Sequence, residues 1–184
     1  MSAGEIDEAI SEYGRTLVRP EAAEWWPLME TSFVPPGDRL NPYKIGTTHK
    51  LNGGWQMKVN SATLDATAEV EAVTEFGQHP NPPPPPGAQY ALVNASMTLM
   101  GPPGVSADLF DIVNGTIYVA GKGNSGSGVD HICTPPGTDL ATVGQTNSGQ
   151  TVTGNFCFEI NASDARTLIL HSQYRDQPVW FALH

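Results

Sequence analysis

Gln89-Tyr90-Ala91-Leu92-Val93-Asn94-Ala95-Ser96-Met97-Thr98-Leu99-Met100 alternates apolar and polar side chains. A repeat of two belongs to an extended strand with one face in a core and the other toward water. The expected inward face is Ala91, Val93, Ala95, Met97 and Leu99, with Tyr90, Asn94, Ser96 and Thr98 opposite. The same beat returns in Thr151–Ile160, where Val152, Gly154, Phe156, Phe158 and Ile160 alternate with Thr151, Thr153, Asn155, Cys157 and Glu159. Outward from these two segments, short β-prone runs punctuated by Gly, Pro, Asn and Asp predict strands at Lys44–Leu51, Trp55–Leu64, Glu69–Phe76, Ser106–Val113, Thr116–Ala120, Val129–Cys133, Thr167–His171 and Pro178–Leu183. Many strand starts lie about a dozen residues apart, which leaves no room for crossover helices. The expectation is an all-β sandwich of about 7–9 strands over residues 41–184.

Composition agrees with that class. The 184 residues hold 9 Lys+Arg against 19 Asp+Glu, a formal charge of −10, and only 15% are charged. The 19 glycines and 16 prolines exclude a coiled coil or long-helix protein, while 39% hydrophobic residues are enough for a core. The acid excess argues against a nucleic-acid partner, which needs a basic stripe to displace counterions from phosphate. No apolar run approaches the roughly 20 residues that span a bilayer.

Residues 1–40 read differently. Ser2-Ala3-Gly4-Glu5 has the spacing of a capping box, and Ile6, Ala9, Ile10, Tyr13 and Leu17 then recur at helical spacing up to Pro20. A short amphipathic helix is marginal alone in water and needs a surface to cover. Trp25, Trp26, Leu28, Met29 and Phe33 follow as a dense apolar cluster. Folding back onto the domain is one reading of this segment. The other is a docking anchor for another subunit, with Ile6, Ile10, Tyr13, Leu17, Trp25, Trp26 and Phe33 as contact residues. The first eight residues are acidic and polar, so no secretory signal is read there.

Three loops stand out. Pro82–Pro86 is five consecutive prolines, which fix φ, donate no amide and predict a stiff polyproline II connector. Gly121–Gly128 is expected to be a solvated tip, and it lacks the Lys-Ser/Thr ending and following helix of a phosphate-binding loop. Thr134–Asn147 is expected to be a long excursion beginning at Cys133, and both it and Gly121–Gly128 are candidate tips for a cell-surface receptor or glycan.

The two cysteines, Cys133 and Cys157, admit three readings. A disulfide would stabilise the fold by roughly 3–4 kcal/mol in the chain-entropy account. Two buried thiols are the second reading. The third is a thiolate–imidazole metal site built from Asp130, His131, Cys133 and Cys157, which a disulfide would exclude. Nucleophilic catalysis finds no support: there is no Gly-x-Ser-x-Gly elbow, and Asp108, Asp111, His171 and His184 have no triad spacing. The expected protein is not an enzyme and carries no cofactor or metal.

Gly46-Thr47, Gly54-Trp55, the proline-rich Pro82–Gly87 leading into Gln89-Tyr90-Ala91-Leu92-Val93-Asn94, then Cys133, Thr151–Phe158, Asp164, Leu168-Ile169-Leu170 and Trp180-Phe181-Ala182 occur in an order that is similar to a known family. Over residues 38–184 the chain resembles the immunoglobulin-like domains of actinobacterial secreted antigens and lipoproteins, the DUF4352 and Mpt63-like sandwiches. That resemblance implies an immunoglobulin-like β-sandwich, a Cys133–Cys157 bridge and an extracytoplasmic location. It implies no enzymatic activity. The helical front departs from the family, whose members begin with a signal peptide or lipid-attachment cysteine and a disordered linker. A sandwich on a short anchor, acidic and without an export signal, suggests a virion decoration or tail-associated protein of an actinobacteriophage, released by lysis. The alternatives are a secreted or lipoprotein-type envelope binding protein, or an accessory subunit of an envelope complex. Each predicts protein partners reached through residues 1–40.

Overall fold

The structure, a computed structural model, describes residues 34–75, 79–114, 116–122, 127–128, 133–174 and 177–184. The chain divides into two compact units, Met1–Val34 and Pro35–His184. Every described residue except Val34 belongs to the second. The expected helix and all seven docking residues, Ile6, Ile10, Tyr13, Leu17, Trp25, Trp26 and Phe33, lie outside the described residues, as do Asp130 and His131.

Alternation along the chain produces two four-stranded antiparallel sheets. The first orders β1 (Thr48–Lys50), β2 (Trp55–Thr63), β5 (Ala88–Leu99) and β10 (Thr151–Asn161) as β1-β2-β5-β10. The second runs β12 (Gln177–Ala182), β11 (Ile169–Tyr174), β7 (Ile117–Ala120), β8 (Ser127–Gly128). Short ribbons pair β3 (Thr74–Glu75) with β4 (His79–Pro80) and β6 (Ser106–Asp108) with β9 (Gln145–Asn147). Inner faces of both main sheets share one core: Trp55, Met57 and Val59 from β2, Ala91 to Leu99 at alternate positions of β5, and Phe156, Phe158 and Ile160 from β10. These meet Ile117, Val119, Leu170 and Phe181 of the second sheet. The protein is therefore an all-β sandwich. Each of the large side chains removed from water contributes about 1.5–3 kcal/mol.

Two expected strands are replaced in part by helix. The predicted strand Glu69–Phe76 begins inside a helix, α1 (Thr67–Glu71), and among its described residues only Thr74–Glu75 form a strand. Ala66 and Val70, four residues apart, both turn onto Tyr90, Leu92 and the two cysteines as a second, smaller cluster. Tyr90 anchors the helix start, since its carbonyl accepts from Ala66 N–H and its own N–H donates to the Thr67 hydroxyl. In Ser106–Val113 the chain is extended only to Asp108. Then α2 (Phe110–Val113) buries Leu109, Ile112 and Val113, a three-and-four spacing that propensity alone reads as a strand.

The proline-rich connector is held by Asn81. Its amide donates to the Val70 and Thr134 carbonyls (2.7 and 2.9 Å), and its oxygen accepts from Thr134 N–H (2.8 Å). One side chain thus ties the end of α1 to the residue after Cys133. The Tyr90 hydroxyl donates to Pro82 O at 2.8 Å.

The expected excursion Thr134–Asn147 is instead built into the sandwich. Pro135, Leu140, Ala141 and Thr146 are buried, Asp139 bridges to Asn155 on the open edge of β10, and the segment ends as β9. The Thr138 carbonyl passes so close to Gly154 that a Cβ there would overlap it. An edge strand presents unpaired amides that invite further pairing, and residues 138–140 supply a partner from within the chain.

Cys133 and Cys157 form a disulfide with Cα atoms 5.8 Å apart, and there are no free cysteines. The bridge removes both thiolates from metal chemistry and fits an oxidising, extracytoplasmic environment. Replacing both cysteines by alanine is expected to lower unfolding stability by roughly 3–4 kcal/mol in denaturant titrations, from the loop the bridge closes. Gly154→Ala is expected to cost about 1–3 kcal/mol through overlap with Thr138, read in the same titrations.

Candidate functional site

Among the described residues, the outer face of the first sheet has a covered half and an open half. In the covered half, Ala66 and Val70 at α1, together with Cys133, close over Tyr90, Leu92 and Cys157. Burial raises the Tyr90 phenol above its usual range, and the Glu159 and Glu71 carboxylates push the same way.

In the open half, register places side chains in rows. One row is Thr48–Lys58–Ser96–Thr153 and the next is Lys50–Gln56–Thr98–Thr151. Hydroxyls pair across β5 and β10, Ser96 with Thr153 and Thr98 with Thr151, both at 2.8 Å. A third row is made of amides. A β-bulge between Val59 and Ser61 leaves Asn60 as the extra residue. Its amide donates to Asn94 Oδ1 and Ser96 Oγ at 2.9 Å each. Asn94 in turn donates to Asn155 Oδ1, and Asn155 to the Pro136 carbonyl, both at 2.8 Å. Every asparagine amide is thereby fixed in orientation. The lattice is polar and cross-linked by hydrogen bonds, and among the described residues Lys50 and Lys58 are its charged groups. Thr48, Lys50, Lys58, Thr151 and Thr153 are exposed.

The outer face of the second sheet carries a stack of rings. His171 on β11 is opposite both Tyr118 on β7 and Trp180 on β12. The His171 and Trp180 rings stack at 4.1 Å and 13°, and Tyr118 lies 6.0 Å from His171. The Arg39 guanidinium sits over Trp180, 5.5 Å from its centre. Trp180 already spends ring surface on partners within the chain, so the stack braces the sheet and offers no flat platform for a sugar. Burial lowers the His171 pKa, and the Arg39 charge lowers it further.

Between the sheets at one edge, a shallow cleft of about 360 Å³ is lined by Pro35, Pro36, Asp38, Tyr43, His49 and Pro178 among others. Tyr43 in this lining exchanges backbone hydrogen bonds with β12 through the Trp180 carbonyl and Ala182 N–H, and Gly46 N–H, three residues on, donates to the Val59 carbonyl of β2. His49 lies 4.6 Å from the Tyr43 ring, and burial lowers its pKa.

Of the residues singled out from sequence, Cys133 and Cys157 are brought together, and the Thr134–Asn147 loop is folded inward. The described ends of the Gly121–Gly128 loop are tied down: Gly121 is buried against Asp164, and Ser127–Gly128 pair with β7. Lys50, Lys58 and Asn60 were not singled out. The only signal for the lysines is that they are charges in alternating strands of a charge-poor chain, and nothing local marks the bulge at Asn60. Among the described residues, no three His, Cys, Asp or Glu side chains converge as metal ligands, and no helix is long and apolar enough to cross a membrane.

No protein-family model matches the chain, and no curated protein matches it. Solved structures similar to it include the yjhA protein from Bacillus subtilis, at 16% identity and TM-score 0.46, covering 77% of this chain and 99% of that one. A conserved hypothetical protein from Bacillus anthracis is 11% identical, with TM-score 0.48 and coverage of 75% and 94%. An uncharacterized beta-sandwich protein from Clostridium difficile 630 is 14% identical, with TM-score 0.43 and coverage of 78% and 95%.

His49 and His171 generate a pH prediction. Both pKa values are lowered in the fold from 6.5, so unfolding takes up protons. The stability these histidines contribute is present above the unfolded value near 6.5 and is lost as pH falls through the folded values. Melting temperature is expected to drop between about pH 7.5 and about pH 5.5, and the drop to flatten in the His49→Gln/His171→Gln variant.

Proposed function

We propose that the protein is a non-enzymatic interaction module, an immunoglobulin-like sandwich displayed outside the cytosol and joined to a larger assembly through residues 1–40. The observation that carries this reading is the rigid, open sheet face on a fold stapled by Cys133–Cys157. A display module must hold its contact surface fixed without a partner, and paired hydroxyls, oriented amides and a covalent cross-link all reduce the ordering cost on binding.

The setting that suits it best is the surface of an actinobacteriophage particle, as a capsid decoration or tail-associated protein. A secreted or lipoprotein-type envelope protein of an actinobacterium, or an accessory envelope subunit, is the second reading. The disulfide favours either, since both operate in oxidising surroundings.

In the full-length chain, Trp25→Ala/Trp26→Ala is expected to leave the melting temperature of the sandwich unchanged while incorporation into particles falls by roughly tenfold or more, as for loss of interface hot spots. Quantitative mass spectrometry of purified particles and of host envelopes reads both quantities at once. Recovery of the chain in virions supports the first setting, recovery in envelopes the second. Normal incorporation of the double variant overturns the anchor.

A further inference from the structure

We infer that the open half of the first sheet binds an acidic polysaccharide of low charge density. This stands on the sheet face alone and does not depend on the docking of residues 1–40.

The argument begins with charge. The chain carries −10 overall, yet four of its nine basic residues, Arg39, Lys44, Lys50 and Lys58, fall within residues 39–58 beside a single acid, Asp38. Two of those four, Lys50 and Lys58, project from the open face, where the described positions in register with them, Thr48, Gln56, Ser96, Thr98, Thr151 and Thr153, include no acid. They are diagonal neighbours, roughly 7–8 Å apart at the backbone by sheet geometry. Edge protection accounts for a lysine on an edge strand such as β1. It does not account for Lys58, because β2 is an interior strand.

The neighbours of the lysines identify the partner. Around them lie Ser96, Thr98, Thr151 and Thr153, paired hydroxyls of which Thr98, Thr151 and Thr153 keep acceptor capacity beyond their pair while Ser96 also accepts from Asn60, and the Gln56 amide. A ligand matched to this surface carries many hydroxyls and few negative charges along an extended chain. Nucleic acid does not match: its backbone presents one charge per roughly 1.7 Å, and binding it takes a dense basic stripe. Two lysines in an acidic protein do not provide one. An acidic peptide would satisfy the lysines but leave the hydroxyl rows unmatched. A polysaccharide bearing scattered carboxylates satisfies both. At physiological ionic strength screening over about 8 Å lets the local lysines act against the distant acids.

The test uses the full-length protein and polygalacturonate partially esterified to thin its charge, followed by calorimetry, with dextran, polyglutamate and duplex DNA as comparison polymers. The polygalacturonate is expected to bind most tightly, with affinity falling roughly tenfold or more in Lys50→Gln/Lys58→Gln and restored within about twofold in Lys50→Arg/Lys58→Arg, as expected when a local charge pair supplies the attraction. Thr98→Val/Thr151→Val keeps strand propensity and both charges. It is expected to weaken polygalacturonate several-fold and to leave any residual polyglutamate binding unchanged. Melting curves accompany each variant, so that loss of fold is separated from loss of binding, and Lys44→Gln/Lys122→Gln, two exposed lysines, serves as a charge-matched control expected to have no effect. The inference is overturned if polygalacturonate does not bind, if Lys50→Gln/Lys58→Gln binds as the wild type does, or if polyglutamate or DNA binds as tightly.

Discussion

The pairing of β5 with β10 is the constraint on which the molecule depends. Thr151–Asn161 runs antiparallel to Ala88–Thr98 without a register shift over its whole length. A slip of one residue would send Phe156, Phe158 and Ile160 to solvent and bring Thr151, Thr153 and Asn155 into the core. Register therefore decides two things together: that the aromatic side chains meet the second sheet, and that hydroxyls and amides line up in rows on the outside. The Ser96–Thr153, Thr98–Thr151 and Asn94–Asn155 contacts are the outward reading of the same pairing that buries Val93 against Phe156.

Each end of this pair is secured by something distant in sequence. At one end α1 and the Cys133–Cys157 bridge close over Tyr90 and Leu92, so β5 is buried on both faces there. Asn81 holds that cover in place by linking Val70 to Thr134. Along the free edge of β10, Thr138–Leu140 adds backbone hydrogen bonds at Asn155. Among the described residues, none covers the half bearing the hydroxyl rows and the two lysines. A surface whose hydroxyls and amides are already oriented by one another is suited to recognition of an extended ligand, because little ordering remains to be done when one arrives.

The second sheet solves its solvent problem in another way. Tyr118, His171 and Trp180 stack across three strands and Arg39 lies over the last ring, so the large side chains shield one another. Neutral His171 is favoured by that packing, and this links the sheet's integrity to pH. The two outer faces therefore divide the labour, one aromatic and self-engaged, the other polar and open.

Much of the sandwich was legible because period two is a local property. Trp55–Leu64, Gln89–Met100, Thr116–Ala120, Thr151–Ile160 and Pro178–Leu183 each differ from the observed strands by a residue or so at either end. The inward set Ala91, Val93, Ala95, Met97 and Leu99 is buried as the alternation dictates. What local pattern does not carry is which segments cover which. Val70 and Ile112 sit in sequences with strand-like propensity, yet they fold as helical turns because one side of each turn meets an existing apolar surface and the other meets water. Leu140 looked like part of a loop because its burial comes from contact with β10 rather than from periodicity. The candidate face was half visible: Asn94, Ser96, Thr98, Thr151, Thr153 and Asn155 read as outward from alternation alone. Their assembly into rows with Lys50, Lys58 and the bulged Asn60 required pairing between strands far apart in the chain. Periodicity assigns a side chain to a face of its own strand, whereas hydrogen-bonded register determines its neighbours, and a binding surface is made of neighbours.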